Sequence, residues 1–421
     1  MTKKFYHFRI DKGWFNISFC STACRLLSVF CAYSYAANGQ GQDFAGAHDQ
    51  GPADTKITQE ERLDDEQLRF TRSADYSADH SGRAFLVLRD GEIVFERYDN
   101  GWSANRPHLL ASGTKSFAGV LAMLAVEDGL LSLDELVSET IDEWKDHPKK
   151  SQITIRQLLT LSSGLPAGDQ DLAGGRSGAL SLGEMADRRA RRLGIEDSNV
   201  RPENQNQRAV DLELETEPGT KFQYGPSHFY VFSEVLQRKL KASGAVQQTT
   251  MAYLNERLLK PIGIQNARIG RDRAGNPNLP GGMFLTARDW AKFGQFVLDG
   301  GSVRQADGQM KSLLSSELLN QCFEPSERNK SYGLTWWLRA ANSEADQLAL
   351  LGRTERVRQD SETALKKDGK PVTVYMAAGL GKQRLYVLPE FNMVIVRFAE
   401  ASVAGQRYSD AQLLKMILDV D

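Results

Sequence analysis

Two short runs near the start of the folded part, Ala84 to Leu88 and Ile93 to Tyr98, are apolar and rich in β-branched or aromatic residues. Between them lies Asp90-Gly91, the pair a tight hairpin turn favours because both central residues take positive φ. Toward the C-terminus Val372 to Met376, Leu385 to Leu388 and Met393 to Arg397 read as three more strands, followed by a helix from about Ser409 to Leu418. In the middle the period changes: Phe117, Val120, Leu121 and Leu124 recur at the spacing of one helix face, as do Phe229, Phe232, Leu236 and Leu240. Two separate small sheets would each be hard to cover. The pattern therefore predicts an α/β (α+β) fold: one antiparallel sheet built from the N- and C-terminal strands, flanked by helices, with a mainly helical second lobe and a cleft between. The polar stretches 168–217 and 353–370 read as surface insertions or loops near the mouth of that cleft.

Composition narrows the function. With 41% hydrophobic and 25% charged residues, the 421-residue chain can bury a large core. A formal net charge of -2 argues against bulk electrostatic binding to nucleic acid or an anionic membrane. The charge is unevenly placed, however. Lys3, Lys4, Arg9, Lys12 and Arg25 face the single acid Asp11, and the apolar run Leu26 to Tyr33 then leads to Ser34-Tyr35-Ala36. That order predicts a signal peptide over residues 1–36, cleaved after Ala36, and an exported, periplasmic or secreted protein. Arg25 interrupts the stretch that would have to span a bilayer, so stable membrane insertion is not expected. Residues 37–70 read as a flexible linker and 71–421 as the catalytic domain. Cys20, Cys24 and Cys31 fall in the signal, leaving Cys322 alone in the body, so no internal disulfide framework is expected.

The candidate chemistry begins at Ser112-Gly113-Thr114-Lys115, at the start of a helix reaching about Asp128 and ending at Gly129. A serine and a lysine three apart share one helix face, so the amine can reach the hydroxyl, and the helix N-terminus favours a developing anion. Ser112 is the only serine here with lysine three residues on. Alone, the spacing also suits a capping serine with a solvated lysine. Pro218 to Ser227 then places Tyr224 on a loop at a helix start, where a phenol can shuttle protons. Ala377 to Arg384 joins two C-terminal strands with small residues that would let a substrate lie along the sheet edge. The six histidines form no pair with metal-ligand spacing, so no metal and no cofactor is implied. Ser112 also lacks the G-x-S-x-G setting of an α/β-hydrolase elbow. His228 reads as an exposed or capped helix residue, and Arg188 to Arg192 as a solvated helix face.

From Gly82 to Leu418 the chain resembles the serine β-lactamase and penicillin-binding superfamily, in its class C β-lactamase-like and esterase branch. Phe85 to Tyr98, Asp128 to Asp134, Ile153 to Pro166, Pro218 to Ser227, Pro261 to Ile264, Thr286 to Gly301 and Tyr332 to Trp337 match that family's blocks in order. The resemblance implies a β-lactamase/transpeptidase-like fold with Ser112 as the acyl-accepting nucleophile. It further implies that Lys115 supports deprotonation and that Tyr224 is a general base or proton relay. The oxyanion hole would come from the backbone N–H of Ser112 and of Leu380, with Gly379 and Gly381 beside it on the substrate side.

Two positions depart from the family pattern. Where its second box carries Asn two residues after the tyrosine, this chain has Pro226, and either Ser227, one further on, substitutes or nothing does. Where β-lactamases and transpeptidases carry Lys-Thr-Gly, this chain has Ala377-Ala378-Gly379, and Lys382 or Arg384 replaces that cation only if the strand register turns one of them inward. Without the carboxylate anchor, neutral esters or amides are the expected substrates. A β-lactamase or DD-peptidase, and a non-catalytic binding protein on the same fold, stay as alternatives. The expected partner is a small-molecule ester, amide or lactam, and the oligomeric state is left open.

Overall fold

A computed structural model describes residues 59–167, 202–338, 365–400 and 407–420, with side chains from residue 65 onward. The expected signal peptide, the basic run Arg188 to Arg192 and most of the polar stretches 168–217 and 353–370 lie outside the described residues.

Strands β1 (Gly82–Arg89) and β2 (Glu92–Tyr98) form the expected hairpin, with Asp90 at φ 54° and Gly91 at φ 84°. Strands β3 (Tyr375–Gly379), β4 (Gln383–Leu388) and β5 (Met393–Ala399) complete one antiparallel sheet in the order β3-β4-β5-β1-β2. The two ends of the chain meet at its centre, where Val87 pairs with Ile395 and Leu86 with Val396. β3 starts later than the expected Val372. The Val372 N–H instead donates to Leu365 O, as part of a small hairpin in which Lys366–Lys367 pairs with Lys370–Pro371.

Helices α1 (Gln59–Asp79) and α5 (Asp410–Leu418) lie on one face of this sheet, and α4 (Ala287–Leu298) on the other. α2 (Lys115–Glu127) and α3 (Ser227–Ala242) lie in the helical middle of the chain. α1 corrects the expected linker over residues 37–70, because the helix already begins at Gln59. Phe70 and Ala74 on α1 are fully buried, so the helix is held by the core of the sheet. A second correction concerns the stretch 168–217: Gln205–Asp211 is a helix whose Ala209 and Val210 are buried and which packs against α3.

The amphipathic reading of α3 is borne out, with Phe229, Phe232, Leu236 and Leu240 all buried. α2 goes further, since every residue from Lys115 to Ala125 is buried. A helix apolar all round belongs inside a protein rather than on it. Gly119 makes this possible: a side chain there would collide with the Leu334 carbonyl at 2.3 Å. Phe117 of α2 stacks on Phe293 of α4 at 3.8 Å between ring centroids. Among the described residues no helix is long and apolar enough to cross a membrane.

Candidate active site

Ser112 sits in a 3-10 turn, Ala111–Thr114, that feeds directly into α2. The residue before it, Ala111, has φ 48°, a left-handed conformation costing about 1–2 kcal/mol for a non-glycine residue. Such strain persists only where the surroundings enforce it, and here the turn is wedged under Trp290, which a side chain at Gly113 would meet at 2.9 Å. Lys115 Nζ lies 3.1 Å from Ser112 Oγ and donates to Pro280 O at 2.6 Å. Lys115 is 5% exposed, and loss of water around the ammonium brings its pKa down to about 7. An amine that is half neutral near pH 7, within hydrogen-bond reach of a hydroxyl, can take that hydroxyl's proton.

Tyr224 is carried by a loop fastened to the segment 161–167. The Gly219 N–H donates to Ser162 O, the Gln223 N–H donates to Leu161 O, and a side chain at Gly225 would strike Ala167 O at 2.0 Å. His228 is the lock beneath this loop, not an exposed residue as its type suggested. It is 1% exposed, and burial lowers its pKa to about 4. Its Nε2 lies 2.9 Å from the Gln223 carbonyl, which can only accept, so Nε2 carries the proton and Nδ1 accepts from Ser163 Oγ at 2.9 Å. Ser227 is also corrected. It is fully buried and its hydroxyl donates to Pro166 O at 2.7 Å, so it anchors the loop and does not replace the missing asparagine.

The Tyr224 ring lies 5.1 Å from Lys115 Nζ, and its ring neighbours include Trp337, stacked at 5.5 Å, and Tyr332, edge-on at 6.2 Å. Trp337 in turn pairs through its backbone with Met376 of β3. Further along the same strand, a side chain at Gly379 would meet the Leu110 carbonyl at 2.0 Å, so only glycine lets the strand end lie against the segment that leads into Ser112. The structure thus brings Ser112, Lys115 and Tyr224 together and sets Gly379 against the segment before Ser112, with Leu380, 51% exposed, and Gly381 next in the chain.

The register settles Arg384. It pairs with Ala378 across the sheet, but its guanidinium, 4% exposed, is ion-paired with Asp410 at 2.7 Å, so it does not face the substrate side. Lys382 sits at φ 63° in the turn between β3 and β4. Sequence reasoning missed Pro280, whose neighbourhood Asn278 to Gly282 reads only as a turn, and gave Tyr332 and Trp337 no part in the site. Among the described residues no group of three or more His, Cys, Asp or Glu is placed to hold a metal ion.

A 6-aminohexanoate-dimer hydrolase of Paenarthrobacter ureafaciens is 25% identical over 264 residues, 60% of this chain. The match covers 63% of that relative, just under two thirds of its length. A D-stereospecific amidohydrolase from Streptomyces sp. superposes with a TM-score of 0.57 at 13% identity, covering 84% of this chain and 97% of that one. EstCE1, a hydrolase with promiscuous acyltransferase activity, gives 0.54 at 16% identity, covering 85% and 98%. At such identities these two show the fold alone. The family model described as Beta-lactamase matches residues 64–415, nearly the whole of the described fold, and the chain belongs to the beta-lactamase family.

Proposed function

We propose that the protein is a serine hydrolase that acts through an acyl-enzyme on Ser112, with carboxylic esters or amides as substrates. The observation that carries this reading is the buried Lys115 amine, with a pKa of about 7, lying 3.1 Å from the Ser112 hydroxyl. With Lys115 neutral, Ser112 Oγ–H donates to its lone pair. As Oγ bonds to the substrate carbonyl carbon, the proton passes to Nζ and the carbonyl oxygen becomes an oxyanion. The N–H groups of Ser112 and Leu380 receive that oxyanion, one such donor contributing on the order of 3 kcal/mol. Collapse breaks the bond to the alcohol or amine leaving group, which takes a proton from the Lys115 and Tyr224 pair. Water then attacks the acyl-enzyme by the same steps in reverse roles, releasing the acid and restoring Ser112.

The chain's similarity to a 6-aminohexanoate-dimer hydrolase supports the amide side of this proposal. The basic and then apolar segment 1–36 supports action outside the cytoplasm. Purified protein should be labelled by a fluorophosphonate probe and should hydrolyse short p-nitrophenyl esters, and Ser112→Ala should lose both. Labelling that persists unchanged in Ser112→Ala would refute the nucleophile.

A further inference from the structure

The turn Leu380-Gly381-Lys382 between β3 and β4 is held from behind by buried side chains. Arg384 Nη1 donates to Gly379 O at 3.2 Å and to Gln383 O at 2.9 Å. Gln383 Nε2 reaches Leu380 O at 3.2 Å and Gly381 O at 3.3 Å while donating to Ala399 O at 2.7 Å. Arg397 Nη1 donates to Lys382 O at 3.0 Å. Every carbonyl from Gly379 to Gln383 therefore accepts from Arg384, Gln383 or Arg397, each 4% exposed or less.

This fixes where the amides of the turn point. Gly379 C=O and Leu380 N–H belong to one peptide group, and in a trans peptide they point in opposite directions. The parity of the strand gives the same answer. Met376 exchanges both of its backbone bonds with Trp337 on the free edge of the sheet, and groups two residues apart share a side, so the Ala378 N–H and then the Leu380 N–H face that edge as well, while the Leu380 carbonyl, beyond the strand, turns back to Gln383. Arg384, on the β4 side, holds the carbonyl end of the peptide whose N–H faces the edge beside Ser112. A charged donor on the carbonyl also polarises the peptide and makes its N–H a stronger donor. Asp410, fully buried, fixes the guanidinium through Nε at 2.7 Å and itself accepts from the Tyr386 hydroxyl.

We propose that Arg384 is a positioning residue for acyl transfer: anchored by Asp410, it orients and polarises the Gly379-Leu380 peptide so that the Leu380 N–H meets the oxyanion formed at Ser112. A buried ion pair is weak support for stability alone, which fits a pair retained for the geometry it imposes. The proposal rests on the acyl-enzyme reading given above.

The test compares wild type with Arg384→Lys, which keeps a positive charge opposite Asp410, using p-nitrophenyl butyrate and a 13C-carbonyl-labelled ester trapped as the acyl-enzyme. Expected are a folded protein by thermal melting, kcat lowered about 10- to 100-fold with KM within about twofold, and an acyl carbonyl stretch moved to higher frequency as its hydrogen bond weakens. The double variant Arg384→Met with Asp410→Asn removes both charges and gives the same readouts should the single change unfold the protein. Wild-type kcat and carbonyl frequency in a folded variant would overturn the role of Arg384 while leaving the acyl-enzyme intact. Unfolding of both variants would overturn it too, since the pair would then serve the fold. Absence of any adduct on wild-type Ser112 would instead remove the acyl-enzyme reading and, with it, this one.

Discussion

On the proposed mechanism Lys115 is two things at once, a residue inside the protein and a base. Its pKa near 7 means that the reactive, neutral form is gained as pH rises. We expect kcat/KM for a p-nitrophenyl ester to rise about tenfold per unit below pH 7 and to level off above it. Lys115→Arg, which stays charged, should lose at least about 100-fold at every pH. The same burial carries a stability cost whose sign is opposite to that of a salt bridge. The folded pKa lies below the unfolded value of 10.5, so the unfolded chain binds more protons between about pH 7 and 10.5. The cost is fully present below pH 7 and fades as pH rises toward 10.5. Lys115→Met should therefore be inactive yet more stable than wild type at pH 6, by up to about 5 kcal/mol, with the gain shrinking toward pH 10 in urea titrations. The spacing of Ser112 and Lys115 was legible because it is local. The Pro280 carbonyl that receives the amine lies 165 residues away, and no pattern near Pro280 announces it. His228 misled for the same reason: its burial is created by Ser163 and the Gln223 carbonyl, not by its neighbours on the helix.

Among the elements, α1 differs most from expectation. Its sequence is far more polar overall than that of α3, so its first half reads as tether. Its hold is concentrated in a few side chains, Phe70 foremost, packed 5.9 Å from the Phe95 ring with the Arg89 guanidinium 5.8 Å from its own. Phe70→Ala should lower stability by about 3–5 kcal/mol, read as a reduced urea midpoint with unchanged slope, whereas a linker residue would move it by almost nothing. The hairpin of β1 and β2 shows the contrary case. Asp90-Gly91 declares its turn by backbone chemistry alone, and the structure places both residues at positive φ. α2 lies between: its helical period was plain, but its burial on every side depends on Gly119 lying against Leu334 and on Phe117 lying against Phe293.

At the scale of the molecule, the sheet joins strands from the two ends of the chain, and the helical middle brings the Tyr224 ring to Lys115 and, through it, to Ser112. β3 carries Ala377-Ala378-Gly379 where β-lactamases and transpeptidases carry Lys-Thr-Gly, and Arg384, one of the two nearby cations weighed as a replacement, is turned away and paired with Asp410. A neutral p-nitrophenyl ester should therefore be turned over with kcat/KM about 100-fold or more above that for benzylpenicillin, whose carboxylate finds no counterpart on this strand. A comparable rate, with a penicilloyl mass on Ser112, would favour the β-lactamase or DD-peptidase alternative instead. What the sequence by itself determined is whatever depends on residues within a turn or two of one another: the hairpin, the helix periods, the serine and lysine on one face. Tertiary structure alone decided the lowered pKa of Lys115, the lock beneath Tyr224 and the direction of Arg384, because each depends on which distant segments displace water from a group and which carbonyls they leave to receive its protons.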